Sequence, residues 1–165
     1  MNNAWFSADQ IFEVIPQELL LTESGLDLCH RMIAGELPPP PMGGTMNFRM
    51  AEAEAGRVVF RGTPLERHLN PAGVIHGGWA ATILDSALGC CVWTQVPVGK
   101  AYTTAEFKVH LVRPLTPQTG ELICEAKVVH MGRSLATCEG TLKTPEGKLV
   151  AHGTETCAIY DPVRR

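Results

Sequence analysis

The stretch Asn70-Pro-Ala-Gly-Val-Ile-His-Gly-Gly-Trp-Ala-Ala-Thr-Ile-Leu-Asp-Ser-Ala-Leu-Gly-Cys-Cys-Val-Trp93 reads as a turn that opens into a long, almost wholly apolar helix. It is apolar nearly all round, which predicts a helix enclosed by other structure rather than a surface amphipath. Gly77, Gly78, Ala80, Ala81, Ser86, Ala87 and Gly89 would let strands approach its axis closely. Glycine inside a helix costs about 1 kcal/mol relative to alanine, so packing or chemistry must offset these positions. Asp85 carries the only formal charge between His76 and Trp93. An ionised carboxylate is costly to bury there without hydrogen bonds or access to solvent. It is read either as a buried Asp satisfied by backbone donors or as a catalytic carboxylate tuned by desolvation.

At Gly77, in the first turn, backbone N–H groups lack intrahelical partners and the helix dipole is positive, which suits a developing oxyanion. Asp85 lies eight residues further on, about 12 Å away at helical rise. One carbonyl carbon does not touch both ends of that span. If both residues serve one reaction, the carboxylate comes from a second copy of the helix lying antiparallel to the first. That predicts a two-fold homodimer with two shared sites.

Working outward, residues 1–22 carry scattered apolar side chains interrupted by Pro16, consistent with one or two short helical turns. Ser24 to Ala34 has one apolar face (Leu26, Cys29, Met32, Ile33), acidic residues at its start and Arg31 near its end, with Gly35 placed to terminate it. Pro38 to Pro41 reads as a stiff spacer. Thr45 to Met50 and Arg57 to Gly62 read as strands joined by a turn at Glu54-Ala55-Gly56. Beyond the helix, strands are predicted at Tyr102–Val112, Glu121–His130, Ser134–Thr144 and Leu149–Tyr160, with Thr144-Pro145-Glu146-Gly147-Lys148 the clearest turn. Two strands, a buried helix and four further strands make an α+β pattern.

With 165 residues, 45% hydrophobic and 19% charged, the chain suits one domain with a sizeable core. A net charge of −3 without a Lys/Arg cluster gives no case for nucleic acid. The six cysteines form no C-x-x-C pair and no His/Cys cluster with zinc spacing, so neither a metal nor a cofactor is expected. Acidic residues precede the first basic residue, Arg31, unlike a signal or transit peptide; the apolar helix is short for a bilayer and has Asp85 at its middle. The expected setting is a reduced cytoplasm, with no membrane partner.

Asn70-Pro71-x-Gly73-x-x-His76-Gly77-Gly78, with Asp85 nine residues after His76 and a strand from Tyr102 to His110 leading to Leu111-Val112-Arg113-Pro114, resembles the hot-dog-fold acyl-CoA thioesterases of the phenylacetic-acid-degradation (PaaI) type. The match covers most of residues 40–160. The resemblance implies an antiparallel sheet of about six strands curled around one long central helix. The expected division is a helical, proline-rich N-terminal extension over 1–41 and a hot-dog domain over 42–165.

It further implies hydrolysis of an acyl- or aryl-CoA thioester to free acid and CoA by a homodimer that pairs further in many relatives. Asp85 would be general base or nucleophile, and the Gly77 N–H the oxyanion donor. His76 and Asn70 would orient carbonyl and water, although a structural histidine and a turn asparagine are the competing readings. The family position of a water-holding hydroxyl favours Thr104, whereas strict strand alternation favours Thr103. Gly78, Trp79 and the Arg133-Ser134 turn are the substrate-binding candidates, with Arg113 and Lys108 as further cations for CoA phosphates and Trp93 as a second aromatic. The rival reading is a non-catalytic acyl-thioester sensor on the same fold; the hydratase pattern, with Asp and His before the helix, is absent.

Overall fold

The structure, a computed structural model, describes residues 5–162; residues 1–4 and 163–165, which hold the outer limits of the two expected segments, lie outside the described residues. The central stretch forms α4, Gly77–Trp93, as predicted. Ile83, Leu84, Leu88 and Val92 are fully buried on it, and each such side chain contributes about 1.5–3 kcal/mol of hydrophobic stabilisation. The helix packs against all six strands of one antiparallel sheet.

In chain order the strands are β1 (Phe48–Glu54), β2 (Arg57–Gly62), β3 (Ala101–Leu111), β4 (Leu122–Met131), β5 (Leu135–Lys143) and β6 (Leu149–Tyr160), arranged β1-β2-β4-β5-β6-β3. This is the hot-dog arrangement. Each turn forms where its chemistry directs: Gly56 takes φ 77° between β1 and β2, and Gly147 takes φ 84° between β5 and β6, with its N–H on the Thr144 carbonyl at 2.9 Å. The first hairpin is tied to the end of α4, because Gly56 N donates to Thr94 Oγ1 at 2.8 Å and that hydroxyl donates to the Cys91 carbonyl at 2.7 Å.

The N-terminal segment folds into α1 (Gln17–Thr22), α2 (Gly25–Ala34) and α3 (Pro41–Met46). Ser24 caps α2 through Asp27 N at 3.1 Å, and Gly35 ends it at φ 78°. A Cβ at Gly25 would run into the Trp93 backbone, so α2 closes directly onto the end of α4.

Two expectations need correction here. Thr45 and Met46 are the last residues of α3, so the strand begins at Phe48 instead of Thr45. Asn47 adopts the left-handed conformation (φ 56°) and its amide donates to the Thr63 carbonyl at 2.8 Å, a pairing that stops the helix and starts the strand. The proline spacer is likewise shorter, because Pro41 is the first residue of α3, where its fixed φ and missing N–H suit a helix start.

Two features bear on the site. Among the described residues β3 pairs with β6 alone, which leaves its other edge open along the strand there. And α4 is not enclosed all round: Asp85 is exposed and Gly78, Thr82 and Ser86 are half-buried in the single chain.

Candidate active site

The first turn of α4 is set by its cap. His76 Nδ1 accepts from the Gly78 N–H at 2.9 Å, and the His76 N–H is held by the His68 carbonyl at 2.9 Å. With Nδ1 accepting, the neutral ring carries its proton on Nε2, facing outward as a donor. The Gly78 N–H is therefore occupied, whereas the Gly77 N–H has no partner among the described residues. Leu111 Cδ1 lies only 2.5 Å from where a Cβ on Gly77 would sit, so this position admits glycine alone without repacking.

Asn70 shapes the preceding turn. Its Oδ1 accepts from Ala72 N at 2.9 Å and Val74 N at 3.3 Å, which leaves only the amide nitrogen to reach outward. His76, Gly78, Trp79 and Thr82 line a cavity of ≈ 460 Å³ together with residues around His68. Trp79 is also a core side chain: it is 1% exposed, and its Nε1 donates to the Met46 carbonyl at 2.7 Å.

Two turns along α4, Asp85 lines a different cavity, of ≈ 220 Å³. Ser86, Gly89 and Cys90 of the helix, Tyr102 and Thr104 of β3, and Phe48, Met50 and Phe60 of β1 and β2 share it. Its far wall is Met32, Pro40 and Met42 from the N-terminal segment. Asp85 sits at its mouth, and desolvation by these surroundings pushes its carboxyl above the ordinary aspartate range.

β3 shifts register between Thr104 and Glu106, so Ala105 is a bulge. Tyr102 and Thr104 before it, and Phe107 and Val109 after it, thereby share the inner face. Thr104, and not Thr103, lines the Asp85 cavity.

Residues 72–151 match the thioesterase superfamily. A candidate esterase of Caenorhabditis elegans is 30% identical over 128 residues, which cover 72% of this chain and 73% of that protein. The chain belongs to the thioesterase superfamily. A candidate esterase of Halobacterium salinarum is 35% identical over 91 residues, 55% of this chain, a match that spans 60% of the relative's length. Among solved structures, a candidate thioesterase of Ralstonia eutropha, described as phenylacetic acid degradation-related, superimposes with a TM-score of 0.71 at 29% identity, covering 79% of this chain and 98% of that one.

The remaining candidates of this superfamily member are scattered. Arg133 and Ser134 form the exposed β4–β5 turn and line neither cavity. Leu135, next in the chain, pairs with Ala158, which pairs with Thr103, so the turn lies two strands from β3, roughly 10 Å, at the Thr104 end of the sheet. Arg113 donates to the Leu149 carbonyl, and Lys108 projects from the outer face of β3. Trp93 lines a third cavity, under α1, with Tyr102. Among the described residues, no cluster of His, Cys, Asp or Glu could hold a metal, and no helix is long and apolar enough to cross a membrane.

Sequence reasoning missed Glu155. It is 1% exposed on the inner face of β6, between Gly153 and Cys157, and the Thr104 hydroxyl donates to its Oε1 at 2.8 Å. The alternation of β6 carried the signal: Ala151, Gly153, Cys157 and Ile159 are the apolar residues of one face, and Glu155 falls among them.

Proposed function

We propose that the protein hydrolyses an acyl-CoA or aryl-CoA thioester to free acid and CoA, in a homodimer whose sites each combine the α4 start of one copy with the Asp85 cavity of the other. The observation that carries the reading is the separation of the two halves: within one chain, His76 and Gly78 border one cavity while Asp85 and Thr104 border another. The open edge of β3 and the uncovered face of α4 are adjacent surfaces on which a second copy could seat.

In this reading the thioester carbonyl oxygen lies on the Gly77 N–H, with His76 Nε2–H and the Asn70 amide nearby. Water held at Asp85 and Thr104 attacks the carbonyl carbon as its proton passes to the Asp85 carboxylate. The oxyanion forms against the helix start. Collapse of this intermediate breaks the C–S bond, and the departing thiolate takes the proton from Asp85. Acid and thiol leave, and the carboxylate is restored.

A raised Asp85 pKa serves this step, because it makes the carboxylate a stronger base. The cavity of ≈ 220 Å³ is below the ordinary range for drug-sized ligands, about 300–1,000 Å³, and favours a compact acyl or single-ring aryl group. Arg133 would meet the phosphates of CoA from the Thr104 end of the sheet. The setting proposed is the cytoplasm.

The test is complementation. Asp85→Asn and the pair Gly77→Pro with Leu111→Ala should each lack activity on a panel of acyl- and aryl-CoA esters, with CoA release read by chromatography. Unfolding and refolding the two together at equal amounts should restore roughly a quarter of wild-type turnover, since half the dimers are mixed and each has one intact site. Absence of any recovery would sink the shared site. Tight ester binding by a wild type that turns over none of them would establish the sensor reading instead.

A further inference from the structure

We propose that Glu155 is the positioning residue of this site: its carboxyl holds the Thr104 hydroxyl so that only oxygen lone pairs face the Asp85 cavity. The inference rests on the Asp85 reading above. Glu155 Oε1 accepts from Thr104 Oγ1 at 2.8 Å and from Cys157 Sγ at 3.1 Å. Its Oε2 is buried and has no hydrogen-bond partner among the described residues, and no cation pairs with the group there. A carboxyl buried on these terms costs stability, and an apolar side chain of similar volume would serve the core better. Its position is explained by what it holds.

A threonine hydroxyl has one proton and two lone pairs. Once the proton is committed to Glu155, Thr104 can only accept on its cavity side. A water between Asp85 and Thr104 then gives one hydrogen to each, and its own lone pair is left for the carbonyl carbon. A free hydroxyl would instead be able to donate to that water and block the attacking lone pair. Thr104 touches the water; Glu155 acts through Thr104.

Gly89 borders this arrangement at ordinary contact distance. It follows Asp85 by one helical turn, lines the same cavity, and a Cβ there would lie 3.7 Å from Glu155 Oε1 and 3.5 Å from the Tyr102 hydroxyl. Burial raises the Glu155 pKa, against the opposing effect of its Cys157 and Thr104 hydrogen bonds. Oε1 accepts from Thr104 in either protonation state, so the role depends on the reach of the side chain and not on its charge.

That distinction sets the test. Glutamine keeps the reach and a carbonyl acceptor while removing the charge; aspartate keeps the charge and withdraws the acceptor by about 1.5 Å. The expected result is that Glu155→Gln retains kcat within about threefold, whereas Glu155→Asp loses about tenfold in kcat with KM unchanged. Thr104→Val combined with Glu155→Asp should be no slower than Thr104→Val alone. Full activity in the aspartate variant, the reverse order of the two variants, or additive losses would overturn the role of Glu155 and leave the thioesterase reading standing. A wild type inactive on every ester would overturn both.

Discussion

The two ends of the α4 site are built by different means. At the start of the helix the proposed chemistry would fall to backbone: the Gly77 N–H stands beside a Gly78 N–H that His76 occupies, after a turn braced by Asn70. Two turns on it would fall to side chains, Asp85 and Thr104 with Glu155 behind Thr104, brought together from a helix and two strands. The first half needs only about a dozen consecutive residues to be correct. The second needs the whole sheet in register, and it includes a carboxyl that the core would be more stable without.

The largest effect should come from the side-chain half. Asp85→Asn is expected to lower kcat by about 10²–10⁴, the usual worth of a general base, with secondary structure and oligomeric size unchanged by circular dichroism and gel filtration. Retained turnover would remove the carboxylate from the chemistry. Next is the backbone half: proline is tolerated at a first helical position but has no N–H, so Gly77→Pro, with Leu111→Ala to make room, should cost about 10²–10³ in kcat. If both helix ends act on one carbonyl, these are the two deep losses.

The pH profile separates the halves further. Protonated Asp85 cannot take a proton from water, and burial raises its pKa, so kcat/KM should fall with decreasing pH around a midpoint above the ordinary aspartate range. A midpoint at or below that range would place the limiting ionisation elsewhere. At the entrance, Arg133→Ala should raise KM about two- to fivefold for a CoA ester, an effect that shrinks with added salt.

The smallest change is one of stability. Glu155 has a raised pKa, so the folded state binds its proton more tightly than the unfolded chain does. Its destabilisation is therefore full above the folded pKa and disappears as pH falls to the ordinary glutamate range. Glu155→Met should raise Tm by roughly 2–4 °C at neutral pH, about 1 kcal/mol, with the gain shrinking on acidification in a calorimetric series. A lower Tm at neutral pH would mean that the carboxyl is a folding element after all.

The same contrast explains what could be read before the structure. The turn at Asn70, the helix from Gly77 to Trp93 and the Gly147 turn were legible because local residue types force them. Asn47 was not, since a left-handed asparagine that anchors to Thr63 looks like one more polar residue in an alternating run. The choice between Thr103 and Thr104 turned on a bulge at Ala105 that breaks the alternation without marking itself in the sequence. Glu155 stood on an apolar face in plain view, but its link to Thr104 crosses 51 residues of chain and exists only once β3 lies beside β6. The cavity wall of Met32, Pro40 and Met42 was hidden for a related reason, because the N-terminal segment reads as an appendage until it is seen closing over the sheet.

That closure separates two tasks along the chain. The groups proposed for bond breaking lie between Asn70 and Glu155, while one wall of the cavity beside Asp85 arrives on a stretch that precedes the first strand. Substitutions at Met32, Pro40 or Met42 would be expected to reshape the recess from the side that carries no titratable group. On the proposed reading, acyl preference could therefore be retuned in this short segment with the proposed proton-transfer groups left in place.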